Sequence, residues 1–109
     1  MMKPIAFILF ALSLAPLSAH VRAAESSAPA PEVAAILPLC ASCHGIDGIS
    51  SEGLYPNLAG QKVEYLVKQL DDFKQRQRTD PVMNSMAEPL DAALIRALAD
   101  YYASRPARP

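Results

Sequence analysis

The sequence predicts a small all-α domain with long loops, and three observations carry that expectation. Val63, Leu66, Val67, Leu70 and Phe73 recur at helical spacing. Leu94, Leu98, Tyr101 and Tyr102 repeat the pattern near the C-terminus, with Ala97 allowing close approach. No stretch reads convincingly as a strand, and there is no internal repeat.

The N-terminus is set aside from the fold. Lys3 precedes the apolar run Ile5 to Leu14, and the small-residue segment LSAHVRAA follows. This is the pattern of a secretory signal peptide, and the run is too short to span a bilayer. Cleavage is expected after Ala23 or Ala24, so residues 1–24 are the signal, 25–31 a mobile leader and 32–109 the domain. Of the ten basic residues Lys3 and Arg22 are lost while all eleven acidic ones stay, giving a net charge of about −3. With no basic stripe and no recognition motif, nucleic-acid binding has no support. Losing His20, Met1 and Met2 leaves one histidine, His44, and two methionines, Met83 and Met86. A chain this short has a marginal core and benefits from a covalent staple.

The elements follow in order. Glu32 to Leu37 is expected to form a brief helix started by Pro31, with Pro38 interrupting it before a new turn at Cys40. Residues 45–61 (GIDGISSEGLYPNLAGQ) carry Gly, Ser, Asp and Pro and read as loop. A helix runs from Lys62. Gln75 to Pro89, with prolines at both ends of its methionine-bearing part, reads as loop. The last helix begins near Asp91, an N-cap residue type, and ends at the segment SRPARP. The charged residues Lys68, Asp71, Asp72, Lys74, Arg76 and Arg78 read as a solvated face.

The chemistry lies in Cys40-Ala41-Ser42-Cys43-His44, a C-x-x-C-H sequence that marks c-type haem attachment. On one helical turn, residues i, i+3 and i+4 share a face. Two thiols can then add to the two haem vinyl groups while the imidazole meets the iron. Rival uses of the pair fit less well. A disulfide here would close only a tiny loop, a thioredoxin-like motif needs a βαβ setting, and zinc usually takes four protein ligands. Opposite His44, the iron needs a sixth ligand or an open site. Met83 and Met86 are the strong candidates, with Lys and Tyr as unusual ones, and simple core packing is the alternative use of either methionine. A thioether is soft and neutral, favours Fe(II), raises the reduction potential and closes the iron to small ligands.

The segments CASCHG, YPNLAGQ, EYLVKQLDDF, PVMNSMAEPL and IRALADYYAS, in that order, make residues 40–104 resemble a class I c-type cytochrome. The likeness is greatest to one domain of the diheme periplasmic cytochromes and to their small monohaem relatives. The resemblance implies a class I cytochrome c fold of three to four short helices around one haem c, covalent through Cys40 and Cys43. It implies Met83 as the axial methionine and Met86 as its packing partner. It implies that the Pro56 carbonyl accepts the other ring N–H of His44. Gly60 and Gln61 match a turn into the second helix, and Tyr65 is either a haem contact or a core residue. Tyr101 and Tyr102 match the aromatic pair by which the last helix packs on the first. This chain departs from the pattern in its first helix, which lacks the family's Gly and aromatic and offers Ala34 or Ala35 for the crossing. Leu94 also stands at N3, where an acidic residue would complete a capping box.

The expected function is single-electron transfer in the periplasm between transiently bound redox proteins, by a monomer without a membrane span and not by an enzyme. The cofactor-binding residues are Cys40, Cys43, His44, Pro56 and Met83, with His44 and Met83 as iron ligands. The alternative is a haem subunit of a periplasmic dehydrogenase or terminal oxidase complex. A gas-binding or peroxidatic haem with an open iron is a third reading, disfavoured by Met83.

Overall fold

Four α-helices and their connecting loops make up residues 28–108, the part of the chain that the computed structural model describes. Helix α1 spans Pro31–His44, α2 Val63–Lys74, α3 Pro81–Ala87 and α4 Ala92–Ala103, and there is no strand among the described residues. The expected signal peptide lies outside the described residues, as do leader residues 25–27. No helix among the described residues is long and apolar enough to cross a membrane.

Helix α1 corrects one expectation. It runs unbroken through Pro38 into the C-x-x-C-H motif. Pro38 removes one backbone donor, but its ring is exposed, and Val33 and Leu37 on the opposite face are buried at 1% and 3% exposure. Tertiary packing outweighs the local propensity penalty. Ala34 and Ala35 are exposed, so neither makes the crossing with α4. Val33 and Leu37 do so instead, joining Ile95, Leu98, Ala99 and Tyr102 in one core cluster. Ala99, fully buried, supplies the small side chain there, whereas Ala97 is only partly buried.

Helix α2 buries Leu66 and Phe73, with Val63, Val67 and Leu70 packed at the edge of the same cluster. Its C-terminus closes as a Schellman motif. Gln77 N–H reaches the Asp72 carbonyl at 2.8 Å, and Arg76 N–H reaches that of Phe73 at 3.2 Å. Arg76 occupies the left-handed position at φ 59°, which glycine fills without a steric cost. Arg76→Gly is expected to raise stability by about 0.5–1 kcal/mol, the lost exposed pair with Glu88 offsetting little. Urea denaturation measures this as a higher midpoint at unchanged slope.

The second correction is α3. The stretch expected to be loop holds a seven-residue helix, and its flanking prolines are boundary signals. Pro81 sits at the first helical position, where its missing N–H costs nothing, and Asp80 caps it by accepting from Val82 N and Met83 N at 3.0 and 2.8 Å. Pro89 follows the helix end. Asn84, 5% exposed, ties α3 to the end of α2. The charged residues here are not merely solvated. Lys74 Nζ donates to the carbonyls of Glu88, at 2.9 Å, and Leu90, and Arg78 stacks over the Phe73 ring at 4.5 Å. Helix α4 begins as expected, with Asp91 accepting from Leu94 N at 2.8 Å. Ile95, buried at 1% exposure, lies outside the expected stripe.

Candidate haem site

The last turn of α1 presents Cys40, Cys43 and His44 together. Both thiols are unpaired and half-buried, and His44 is 7% exposed. Burial raises the Cys40 thiol pKa above its usual value, opposed in part by a backbone hydrogen bond. Gly45 then turns the chain away from the helix at φ 81°, its N–H returning to the Ala41 carbonyl at 2.9 Å. A Cβ at Gly45 would lie 2.1 Å from the Ile49 carbonyl oxygen, so glycine is required there.

His44 Nδ1 lies 2.8 Å from the Pro56 carbonyl oxygen. A carbonyl only accepts, so Nδ1 carries the proton and Nε2 keeps the lone pair that binds a metal. The Tyr55 ring meets the imidazole edge-on at a centroid distance of 6.4 Å.

Helix α4 also reaches the motif. Tyr101 donates its phenol to the Ile46 carbonyl at 2.8 Å, and Tyr102 makes a longer contact of 3.4 Å to that of Gly45. Burial raises the Tyr102 phenol far above the usual tyrosine range, with Cys40 and Tyr101 adding to the shift. The sequence reads these tyrosines as core alone. The structure makes them core residues that also hold the two peptide units after His44. Tyr55 carries no signal in the sequence. A bond from a side chain to a distant carbonyl leaves no spacing signature, so neither contact was legible.

Met83 is half-buried on α3, and Met86, three residues on, is 40% exposed. Tyr65 is 47% exposed, which removes its core reading. Large apolar side chains stand exposed on the segments that carry the site: Ile46 and Leu54 after the motif, Tyr65 on α2, Val82 and Met86 on α3. Among the described residues no group of three or more His, Cys, Asp or Glu side chains is placed to hold a metal ion. Two free thiols and one imidazole in a fixed tautomer on one helical turn fit a covalently held haem and lack the four-ligand set of a zinc site.

The cytochrome c family model matches residues 32–105. The chain belongs to the cytochrome c family. It is 49% identical over 71 residues to a cytochrome c4 of Thiocapsa roseopersicina, a match covering 65% of this chain and 36% of that protein. It is 44% identical over 93 residues to a thiosulfate dehydrogenase electron acceptor of Thiomonas intermedia, covering 84% of this chain and 42% of that protein. The solved cytochrome c4 of Acidithiobacillus ferrooxidans superposes with a TM-score of 0.59 at 27% identity, over 72% of this chain and 52% of that one. The chain thus spans less than half the length of these two curated relatives. The four helices are a class I cytochrome c fold, and its cofactor is haem c, covalent through Cys40 and Cys43.

Proposed function

We propose that this cytochrome is a periplasmic carrier of single electrons with one haem, whose iron His44 and Met83 would ligate. The observation that carries this reading is the His44–Pro56 bond beside the two free thiols. When bound, the haem supplies an Fe(III)/Fe(II) couple. The chain's residues do the rest. Cys40 and Cys43 would hold the group through two thioether bonds. Pro56 holds the imidazole in one tautomer and strengthens it as a ligand. Met83 supplies a neutral thioether from a capped helix. The N-terminal pattern of Lys3, the apolar run and Ala23-Ala24 supports export, and one C-x-x-C-H supports one haem.

Carbon monoxide tests the closed iron. The ferrous protein at neutral pH is expected to show no carbonyl spectrum over minutes of exposure. Ready uptake would mean an open site and would defeat Met83 as ligand.

The similarity to an electron acceptor of thiosulfate dehydrogenase, over 84% of this chain, favours a partner that oxidises an inorganic sulfur compound. Likeness to a cytochrome subunit of sulfide dehydrogenase from Chlorobaculum tepidum, 40% identical over 63 residues, supports the complex-subunit alternative. Docking of a carrier is small and short-lived. Gel filtration of the native extract separates the two, because a carrier elutes as a free small protein and a subunit co-elutes with its dehydrogenase.

A further inference from the structure

The His44–Pro56 bond joins two segments twelve positions apart, and Pro56 itself is exposed in a loop of bends and turns. Such a carbonyl is free to wander unless other bonds hold it. Two side chains do so. Ser50 Oγ donates to the carbonyl of Cys43, the residue before His44, at 2.8 Å, and accepts from Glu52 N–H at 3.1 Å. The same oxygen lies 3.0 Å from the Glu52 carbonyl, but its single proton belongs to the shorter contact. Ser50 N–H in turn donates to Oδ1 of Asn57, the residue after Pro56, at 2.8 Å. A circuit closes through Cys43, Ser50, Asn57, Pro56 and His44.

We propose that Ser50 and Asn57 are positioning residues for the iron's proximal ligand, a clasp that holds the Pro56 carbonyl against His44 and so sets the reduction potential. The proposal rests on His44 being that ligand. A carbonyl accepting from Nδ1–H raises the basicity of Nε2. The effect weakens steeply as the bond lengthens or bends. A more basic imidazole favours Fe(III), so a loosened clasp weakens the ligand and raises the potential. Neither residue touches the imidazole; each acts through the peptide beside it. Leu58 and Ala59 N–H both donate to the Gly48 carbonyl, at 2.8 and 3.0 Å, so the loop keeps other ties when one clasp bond is removed.

The test uses the haem-bearing protein with Ser50→Ala and Asn57→Ala, the conservative Ser50→Thr and Asn57→Asp, and Arg96→Ala as a surface control. Two quantities are read: the reduction potential, and solvent exchange of the His44 Nδ1–H followed through its paramagnetically shifted resonance in the oxidised protein. Each alanine variant is expected to exchange several-fold faster. Its Fe(III)/Fe(II) equilibrium shifts toward Fe(II) by up to tenfold, about 59 mV for one electron. The conservative Ser50→Thr keeps the hydroxyl and Asn57→Asp keeps the acceptor oxygen, so each retains most of the parent's potential and exchange rate. Alanine variants that melt earlier yet keep the parent's potential and exchange rate would reduce the clasp to a loop tie and overturn the proposal. Absence of any shifted His44 N–H in the parent would instead refute His44 as the ligand. Should Ser50→Ala fail to fold, Asn57→Ala, which spares the link to Cys43, carries the same test.

Discussion

Cys40→Ala combined with Cys43→Ala is expected to yield a chain with no covalent haem and no cooperative fold. The first loss follows from chemistry, since no other cysteine exists to form a thioether. The second follows from size. A core of this length is marginal, and its exposed apolar side chains at Ile46, Leu54, Val82 and Met86 would stay uncovered. Cys40 also packs against the buried cluster, so its replacement removes part of the core directly. A denaturing gel stained for haem peroxidase activity reads the first effect, and a far-ultraviolet melting curve the second. A haem-stained band in the double variant would contradict attachment through these two residues.

Asn84→Ala is expected to cost about 2–5 kcal/mol. The Asn84 amide donates to the Phe73 carbonyl at 2.7 Å and the Arg78 carbonyl at 2.8 Å, while its oxygen accepts from Asp80 N–H at 2.9 Å. Alanine would remove the partners of the Arg78 carbonyl and the Asp80 N–H, each costing about 1–3 kcal/mol before relaxation, while the Phe73 carbonyl keeps the Arg76 N–H. These bonds join α2 to α3, so the loss falls on the element that carries Met83. Asn84→Asp keeps the acceptor but aims a carboxylate at two carbonyls. Burial and those carbonyls favour its protonated form, so the stability it retains at acid pH is lost as pH rises. Urea midpoints at pH 5 and pH 7 read both effects: a deficit for the alanine variant at either pH, and for the aspartate variant a deficit that grows with pH.

The parts of the fold legible from sequence were those with a long repeat. Helices α2 and α4 show their apolar stripes, and Asp91 marks the start of α4. Helix α3 was not legible because seven residues are too few for a period, and the prolines that bound it resemble loop residues. Helix α1 was split in expectation because Pro38 is a strong local breaker, while the packing of Val33 and Leu37 that overrides it is a property of the fold. The site divides in the same way. Cys40, Cys43 and His44 were legible because covalent attachment demands a fixed spacing. Pro56 entered only through family resemblance. Ser50, Asn57, Tyr55, Asn84 and the phenols of Tyr101 and Tyr102 act on distant backbone groups or rings, which only the folded chain brings near.

The proposed ligation of the iron by His44 and Met83 is checked by the oxidised optical spectra of Met83→Ala and Met86→Ala. A thioether bound to Fe(III) gives a weak charge-transfer band at long wavelength. That band is expected to vanish in Met83→Ala, with carbon monoxide uptake on reduction, and to persist in Met86→Ala, a residue that is 40% exposed. Loss of the band in Met86→Ala with retention in Met83→Ala would contradict it.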